Sequence, residues 1–341
     1  MITFKPKQVT KKLLSVLPER ARDVLEKRYG LGTEADTCTL ESIGQTYGIT
    51  RERVRQIENY GIQAIQKSDV YKEFQSVFDE LQSALHSLGG VINEDELLTE
   101  LSKDQSLRNH IYFLLVIGDP FTRIKENNAF KHRWYVEKNI AETVERALVH
   151  IFESIEEDEL VSEDDILGRL KERLGEIEER YRDEKILRRW LSISKQIDRN
   201  PLGEWGHAHS PNVHAKGIRD YAYLAVKRHG SPMHFKEVAD AIKSLFDKSA
   251  HIATTHNELI KDKRFVLVGR GLYALSEWGY STGVVKDVLR DIITTHGPLT
   301  REEIIDKVRK ERYVKDNTII VNLQDTSLFK RLPDGNYILA E

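Results

Sequence analysis

The residues with the most legible chemistry are Arg51, Glu52, Arg55 and Gln56, set close to the start of an amphipathic helix. Arginine presents two donors that match guanine, glutamine can pair with adenine, and glutamate can accept from the cytosine amino group. Such a set near a helix N-terminus is what the second helix of a helix-turn-helix carries into the major groove. The surrounding stretch, TLESIGQTYGITRERVRQIENYGIQAIQK from Thr39 to Lys67, reads as two helices with a tight break. Leu40, Ile43 and Gly44 have helical spacing behind an N-cap at Thr39, and Cys38 is placed to staple onto Ile43. The first helix stops at Gly48. Thr50 then caps a second helix, with Ile49 and Val54 as its staple and Val54, Ile57, Ile62 and Ile65 facing inward. Two helices joined by a short glycine-containing turn make a helix-turn-helix. Gly61 inside the second helix costs about 1 kcal/mol against Ala, so that half of the helix is either looser or closely packed.

GITRERVRQIE closely resembles region 4.2 of the housekeeping sigma factors of bacterial RNA polymerase, and LPERARDVLEKRYGL resembles region 4.1. The likeness runs from about Leu17 to Lys67. It implies that Arg51, Glu52 and Gln56 touch bases of the minus-35 promoter element. It further implies that Arg20, Arg28, Thr39, Leu40 and Glu41 contact or support phosphate binding, with Arg53 and Arg55 beside the backbone. Guanidiniums there would neutralise phosphates and release counterions, while the base-facing trio supplies sequence choice. Asn59-Tyr60-Gly61 departs from the alanine- and lysine-rich turn usual in the family. No stretch resembles sigma regions 2 or 3, which recognise and melt the downstream promoter element. The expectation is therefore a sequence-specific transcription factor, not an enzyme, that binds double-stranded DNA and the flap region of the polymerase core without initiating transcription alone.

The chain has 341 residues, 40% of them hydrophobic and 31% charged, which describes a globular protein with more than one core. A single cysteine, Cys38, excludes an intrachain disulfide and a Cys-based zinc site, and suits a reducing cytosol. No apolar run approaches the roughly 20 residues that cross a bilayer, and MITFKPK lacks the core of a signal peptide, so a cytoplasmic location is expected. Charge is uneven. Twelve Lys and Arg face eight Asp and Glu through Lys67, a balance of +4 that leaves −7 for the remainder. Only the N-terminal part is electrostatically prepared for DNA.

Beyond Lys67 a loose repeat recurs about every 70 residues. Each copy opens a helix with an apolar residue, a cap, an acid and a second apolar residue: Ile92-Asn93 to Leu97, Val161-Ser162 to Ile166, Met233-His234 to Val238, and Leu299-Thr300 to Ile304. Glu96, Asp165, Glu237 and Glu303 occupy the capping-box position. A helical stretch precedes each start, near 73–88, 141–155, 218–229 and 285–295. Another helix follows, and then two short strands: 121–124 with 134–136, 265–268 with 272–275, and 329–332 with 337–339. The second copy is irregular, offering 196–199 and 204–207. Three helices and a hairpin are the parts of a winged helix. The expected fold class is mainly α: a helix-turn-helix domain over 1–68, then winged-helix modules over 69–138, 139–210, 217–280 and 281–341, with 209–216 as a linker.

GIRDYAYLAVKRHGSPMHFKEVADAI and RFVLVGRGLYALSEWGY, together spanning Gly217 to Tyr280, resemble the HARE-HTH module, a winged helix also found in the delta subunit of bacterial RNA polymerase and in some restriction and chromatin proteins. That resemblance implies work at a polymerase or on DNA. It leaves two further readings: a polymerase accessory subunit or scaffold, and a DNA-binding subunit of a restriction or defence system. Gly269-Arg270-Gly271 reads as a hairpin turn, from which Arg270 could enter a minor groove. The tryptophans 134, 190, 205 and 278 are expected in cores. His207, His209 and His214 lack the partners of a metal site. No nucleophile–base set, cofactor motif or small-molecule site is legible.

Overall fold

The computed structural model describes residues 2–33, 35–175, 177, 179–280 and 283–340. They form two compact units: the first runs through Asp198 and takes in Trp205–Ala208, and the second comprises Arg199–Glu204 and the chain from His209 onward. Helix dominates both, with small antiparallel sheets.

The first unit opens with α1 (Pro6–Leu14), α2 (Glu19–Tyr29), α3 (Leu40–Tyr47) and α4 (Arg51–Gln66). Then come α5 (Asp69–Glu73), α6 (Gln75–Ser87), β1 (Val91–Asn93), α7 (Glu94–Leu101), α8 (Gln105–Ile117), β2 (Thr122–Ile124) and β3 (Arg133–Tyr135). The helix expected over 73–88 is broken at Phe74, whose ring packs onto the core. The second copy supplies α9 (Lys138–Ser154), α10 (Glu163–Leu174), α11 (Glu184–Ile193), β4 (Ile197–Arg199) and β5 (Trp205–His207). In the second unit lie α12 (Ile218–His229), β6 (Met233–His234), α13 (Phe235–Phe246), α14 (Ile252–Lys261), β7 (Phe265–Gly269) and β8 (Leu272–Leu275). α15 (Val285–His296), α16 (Arg301–Glu311), α17 (Asp316–Leu323), β9 (Phe329–Arg331) and β10 (Tyr337–Leu339) close the chain.

One pairing recurs in all four copies and was not expected. The apolar residue that opens each staple bridges antiparallel to the second strand of its own hairpin: Ile92 to Trp134, Val161 to Trp205, Met233 to Tyr273 and Leu299 to Tyr337. Each staple thus fixes both the entry of a helix and the edge of a small sheet. Side-chain caps form at Asn93, Ser162, His234 and Thr300. The reciprocal bond of a capping box is made by Glu237 and Glu303, whose carboxylates accept from the cap amides at 2.9 and 2.8 Å. Glu96 and Asp165 are instead drawn to cations, Arg189 at 3.3 Å and Arg169 at 3.1 Å. A charged partner within reach outcompetes a neutral amide.

The expected boundary at 68/69 falls inside a single core. Leu13, Ala21 and Leu25 of the first two helices, and Leu17 between them, pack in one cluster with Phe78 and Leu81 of α6 and with Phe113, Leu114 and Ile117 of α8. Burying each such side chain contributes on the order of 1.5–3 kcal/mol. Polar links reinforce the apolar ones. Asn109 Nδ2 on α8 donates to Gly30 O at 3.1 Å and Ala35 O at 2.7 Å, tying down the connection between α2 and α3. Gln66 Nε2 and the Tyr71 hydroxyl both donate to Ile117 O, at 3.0 and 3.2 Å. The second copy is fastened to the first at Gly89, where a Cβ would stand 2.9 Å from Trp190 Nε1, which donates to Gly89 O at 3.2 Å. Trp134, Trp190 and Trp205 are core residues, whereas Trp278 is half-buried.

Residues 209–216 are not a loose linker. Ser210, Asn212 and Val213 are buried, and Asn212 Oδ1 accepts from Arg264 Nη1 at 3.3 Å. Polar backbone that is buried must find partners, and a run of Ser, Asn and Pro has the side chains to supply them.

Two buried polar groups make the head's stability measurable. The Tyr29 hydroxyl donates to buried Glu58 at 3.0 Å, and burial followed by that carboxylate drives the phenol's pKa far upward. Tyr29→Phe should cost about 1–3 kcal/mol by leaving a buried carboxylate short of a donor, read as a lowered denaturant midpoint at unchanged slope. His110, buried on α8, is pushed down to about 4 by burial and by the charge of Lys7. Its stabilisation is complete above the unfolded value of about 6.5, and it is lost as pH falls toward 4 because only the unfolded chain takes up the proton. Stability should drop by about 3 kcal/mol across that window relative to His110→Asn, and equal pH dependence of the two proteins would exclude His110 as the cause.

Candidate nucleic-acid interface

α4 is built to hold its first turn rigidly while leaving it uncovered. Thr50 Oγ1 accepts from the Arg53 amide at 3.2 Å, as Thr39 Oγ1 accepts from Ser42 on α3 at 3.1 Å. Ile43 and Val54 are fully buried with Val24 in a small cluster that Cys38, Leu40, Ile49 and Ile57 cover. Both expected staples therefore lie in the seam between α3 and α4. A Cβ on Gly44 would come within 2.7 Å of Ile49 O, so the two helices meet at the closeness that only glycine permits there. Gly61 resolves the same way. It is buried, and an added Cβ would meet Leu25 Cδ1 at 3.0 Å, so the C-terminal half of α4 is closely packed on α2 rather than loose.

The outward half of α4 brings together Arg51, Glu52, Arg53, Arg55 and Gln56, all exposed. Two pairs already form among them. Arg55 holds Glu52 through two hydrogen bonds, at 2.9 and 2.6 Å, and Arg53 Nη1 donates to Gln56 Oε1 at 3.0 Å. The bond from Arg55 keeps the Glu52 carboxyl below the usual carboxylate range. Such exposed pairs contribute little to stability and exchange readily for a ligand's groups. The Arg51 side chain makes no hydrogen bond or ion pair among the described residues and acts on Glu52 only through its charge, so it has the greatest freedom to meet a new acceptor.

The residues expected at phosphates divide into two kinds. Arg20 is exposed, with its guanidinium 5.4 Å from the centre of the Tyr47 ring, and Lys27 lies on the same ring at 5.1 Å. Glu41 is exposed in the first turn of α3, and Thr39 caps that helix. Leu40 packs on the Ile43 cluster and supports the turn without offering a polar group. Arg28 is only partly exposed: it donates to Cys38 O at 3.1 Å and pairs with Glu58 at 3.4 Å. Its charge therefore fixes the segment before α3. Glu58 was missed by the sequence reading, although it sits four residues after Val54 and seven before Ile65, on the buried stripe of α4. Tyr47, platform for two cations, was missed as well.

The wing expected at Arg270 is exposed at the turn between β7 and β8. It does not project alone. Tyr313 N donates to Val268 O at 2.8 Å, and Tyr313 pairs in parallel with Gly269.

Comparison with known proteins bears on the head alone. Residues 13–67 match the family described as Sigma-70, region 4. Over 65 residues the chain is 43% identical to the RNA polymerase sigma factor SigA1 of Synechococcus elongatus, an alignment covering 18% of this chain and 16% of that protein. Similarity to the sigma factor SigA of a Nostoc species is 44% over 66 residues, covering 18% and 17%. For SigA of a Bacillus species it is 46% over 52 residues, covering 15% and 14%. The chain thus spans about one sixth of the length of these relatives. Residues 13–67 of this chain are a Sigma-70 region 4 domain, with α3 and α4 as its helix-turn-helix.

Proposed function

We propose that the chain is a sequence-specific DNA-binding transcription factor that places the first turn of α4 in the major groove of a minus-35-like promoter element. Arg51, Glu52 and Gln56 read base edges there. Arg20, Arg53 and Arg55 bind phosphates, while Thr39, Leu40, Glu41 and Arg28 hold the α3 turn against the backbone. The observation that carries this reading is the exposed, capped N-terminal end of α4 with its three arginines, in a segment that matches Sigma-70 region 4. Promoter melting is not assigned to this chain. The polymerase core, at its flap, is the proposed protein partner, and its contact lies outside the apolar face of α1 and α2 that α6 and α8 cover.

In this reading the four repeats after the head are winged helices, the third of HARE-HTH type, and they act by protein contact. The shared bridge from staple to hairpin supports the common architecture. Their third helices support the protein role. α8 is buried in the core it shares with the head. On α11 the guanidiniums are already matched, Arg188 by Glu163 and Glu184, and Arg189 by Glu96 and Glu100. α14 has Lys261 as its sole Lys or Arg, and α17 has neither. A helix with no more than one exposed lysine to offer, Lys185 on α11 and Lys261 on α14, gains little from a phosphate backbone. The polymerase-scaffold alternative shares this tail chemistry and differs in requiring no preferred DNA site.

Arg51→Ala should weaken binding to a site selected from random duplexes by about 1–3 kcal/mol and relax choice at one base, with random-sequence affinity much less affected. An equal loss on both DNAs would remove the base-reading role. Arg20→Ala should lower affinity for all duplexes alike and reduce the slope of log affinity against log salt by about 1.

A further inference from the structure

Between the hairpin of β7 and β8 and the segment that follows α16, the second unit carries a groove of about 570 Å³. Leu267, Val284 and Tyr313 stand open in it, at 49%, 64% and 55% exposure, where such side chains are ordinarily covered. Val314 lies beside them, and Arg270 and Lys315 supply positive charge. No carboxylate is found among the described residues that line it. Three acids lie close along the chain, of which Glu311 acts on the charge of neighbouring Arg312. Asp287 accepts from the Val284 amide at 2.9 Å and pairs with Arg290 at 2.8 Å, while Asp316 pairs with Arg309 at 2.7 Å.

The walls are firmly set. Besides the Tyr313–Val268 bond, buried Arg312 donates to Gly283 O at 3.0 Å. A Cβ on Gly269 would approach Tyr313 O to 2.8 Å, so the glycine is what lets the wing and the following repeat come this close. The groove is thus a preformed surface whose apolar floor no phosphate backbone would use.

We propose that this groove docks an acidic, apolar peptide segment of a partner protein, with aliphatic or aromatic side chains against Leu267, Val284 and Tyr313 and carboxylates paired with Arg270 and Lys315. Charge-assisted pairing at the two cations would set orientation, and burial of the three exposed side chains would supply affinity. A groove this open suits a passing chain segment, since small ligands are held by sites that enclose most of their surface. The assignment stands independently of base reading by α4, and it gives Arg270 a role other than minor-groove insertion.

Selection of a random peptide-display library on the whole chain tests it. The expected pool is rich in Asp and Glu interleaved with Leu, Ile or Phe. A labelled peptide from that pool should bind the whole chain and lose about tenfold or more in affinity with Leu267→Glu and with Arg270→Glu. Duplex affinity should stay unchanged in both, and thermal melts should match, since both side chains are exposed. Lys315→Glu, at a third position, should weaken the same peptide. An uncharged or basic consensus, no enrichment, or acidic peptides that ignore all three substitutions would overturn the proposal. So would a loss of duplex affinity in Arg270→Glu, which would assign the wing to DNA. Failure of the Arg51→Ala experiment leaves these outcomes untouched.

Discussion

The burial of α8 against the helices of the head is the contact on which the first unit depends. A Sigma-70 region 4 domain of 55 residues is small for an independent core, because short chains bury a modest fraction of their surface. Here Phe113, Leu114 and Ile117 continue the core begun by Leu13, Leu17 and Leu25, and Asn109 reaches across to hold the turn that leads into α3. The third helix of the first repeat is thus spent on stabilising the helix-turn-helix of the head. Position and orientation of α4 are consequently set by α8 as well as by α2 and α3.

The same constraint explains where charge is left free. Inside the first unit, the least exposed guanidiniums beyond the head include three matched to carboxylates: Arg123 with Glu94, Arg133 with Glu145, and Arg189 with Glu96 and Glu100. Arg133 is almost fully buried, and its pairing with Glu145 at 2.6 Å is what allows a guanidinium in that place. On the exposed turn of α4 the pairs are of the weak, solvent-facing kind, which a phosphate or a base edge can replace. In the second unit large apolar side chains also stand exposed, at Ile252, Ile260, Leu267, Val284, Tyr313 and Val321. The chemistry of the two surfaces differs accordingly, one rich in exposed arginine and the other carrying exposed apolar side chains.

Much of the local architecture was legible because it is written in short-range signals. Thr39 and Thr50 cap the helices they were expected to cap, and the hairpins at 121–136, 265–275 and 329–339 fall on the alternating segments flanked by turns. Even the irregular second copy forms its strands at β4 and β5. Failures came where a distant partner decided the outcome. Glu96 and Asp165 left the capping box for arginines, and the expected linker at 209–216 was drawn in by Asn200 and Arg264. Arg28, expected to contact or support phosphate binding, also pairs with Glu58 beside the buried Tyr29, a link that spacing alone does not signal.

By itself the sequence determined the start and stop of most helices, the helix-turn-helix and its arginine-bearing first turn, and the recurrence of staple, helix and hairpin. These depend on residues within a few positions of one another, where side-chain spacing and capping are sufficient. Only the tertiary structure decided that the head and the first repeat share one core, that Gly61 marks close packing, and that the wing at Arg270 is tied to Tyr313. Each of those outcomes rests on which apolar faces find one another across tens of residues, and composition and spacing leave several such pairings equally open.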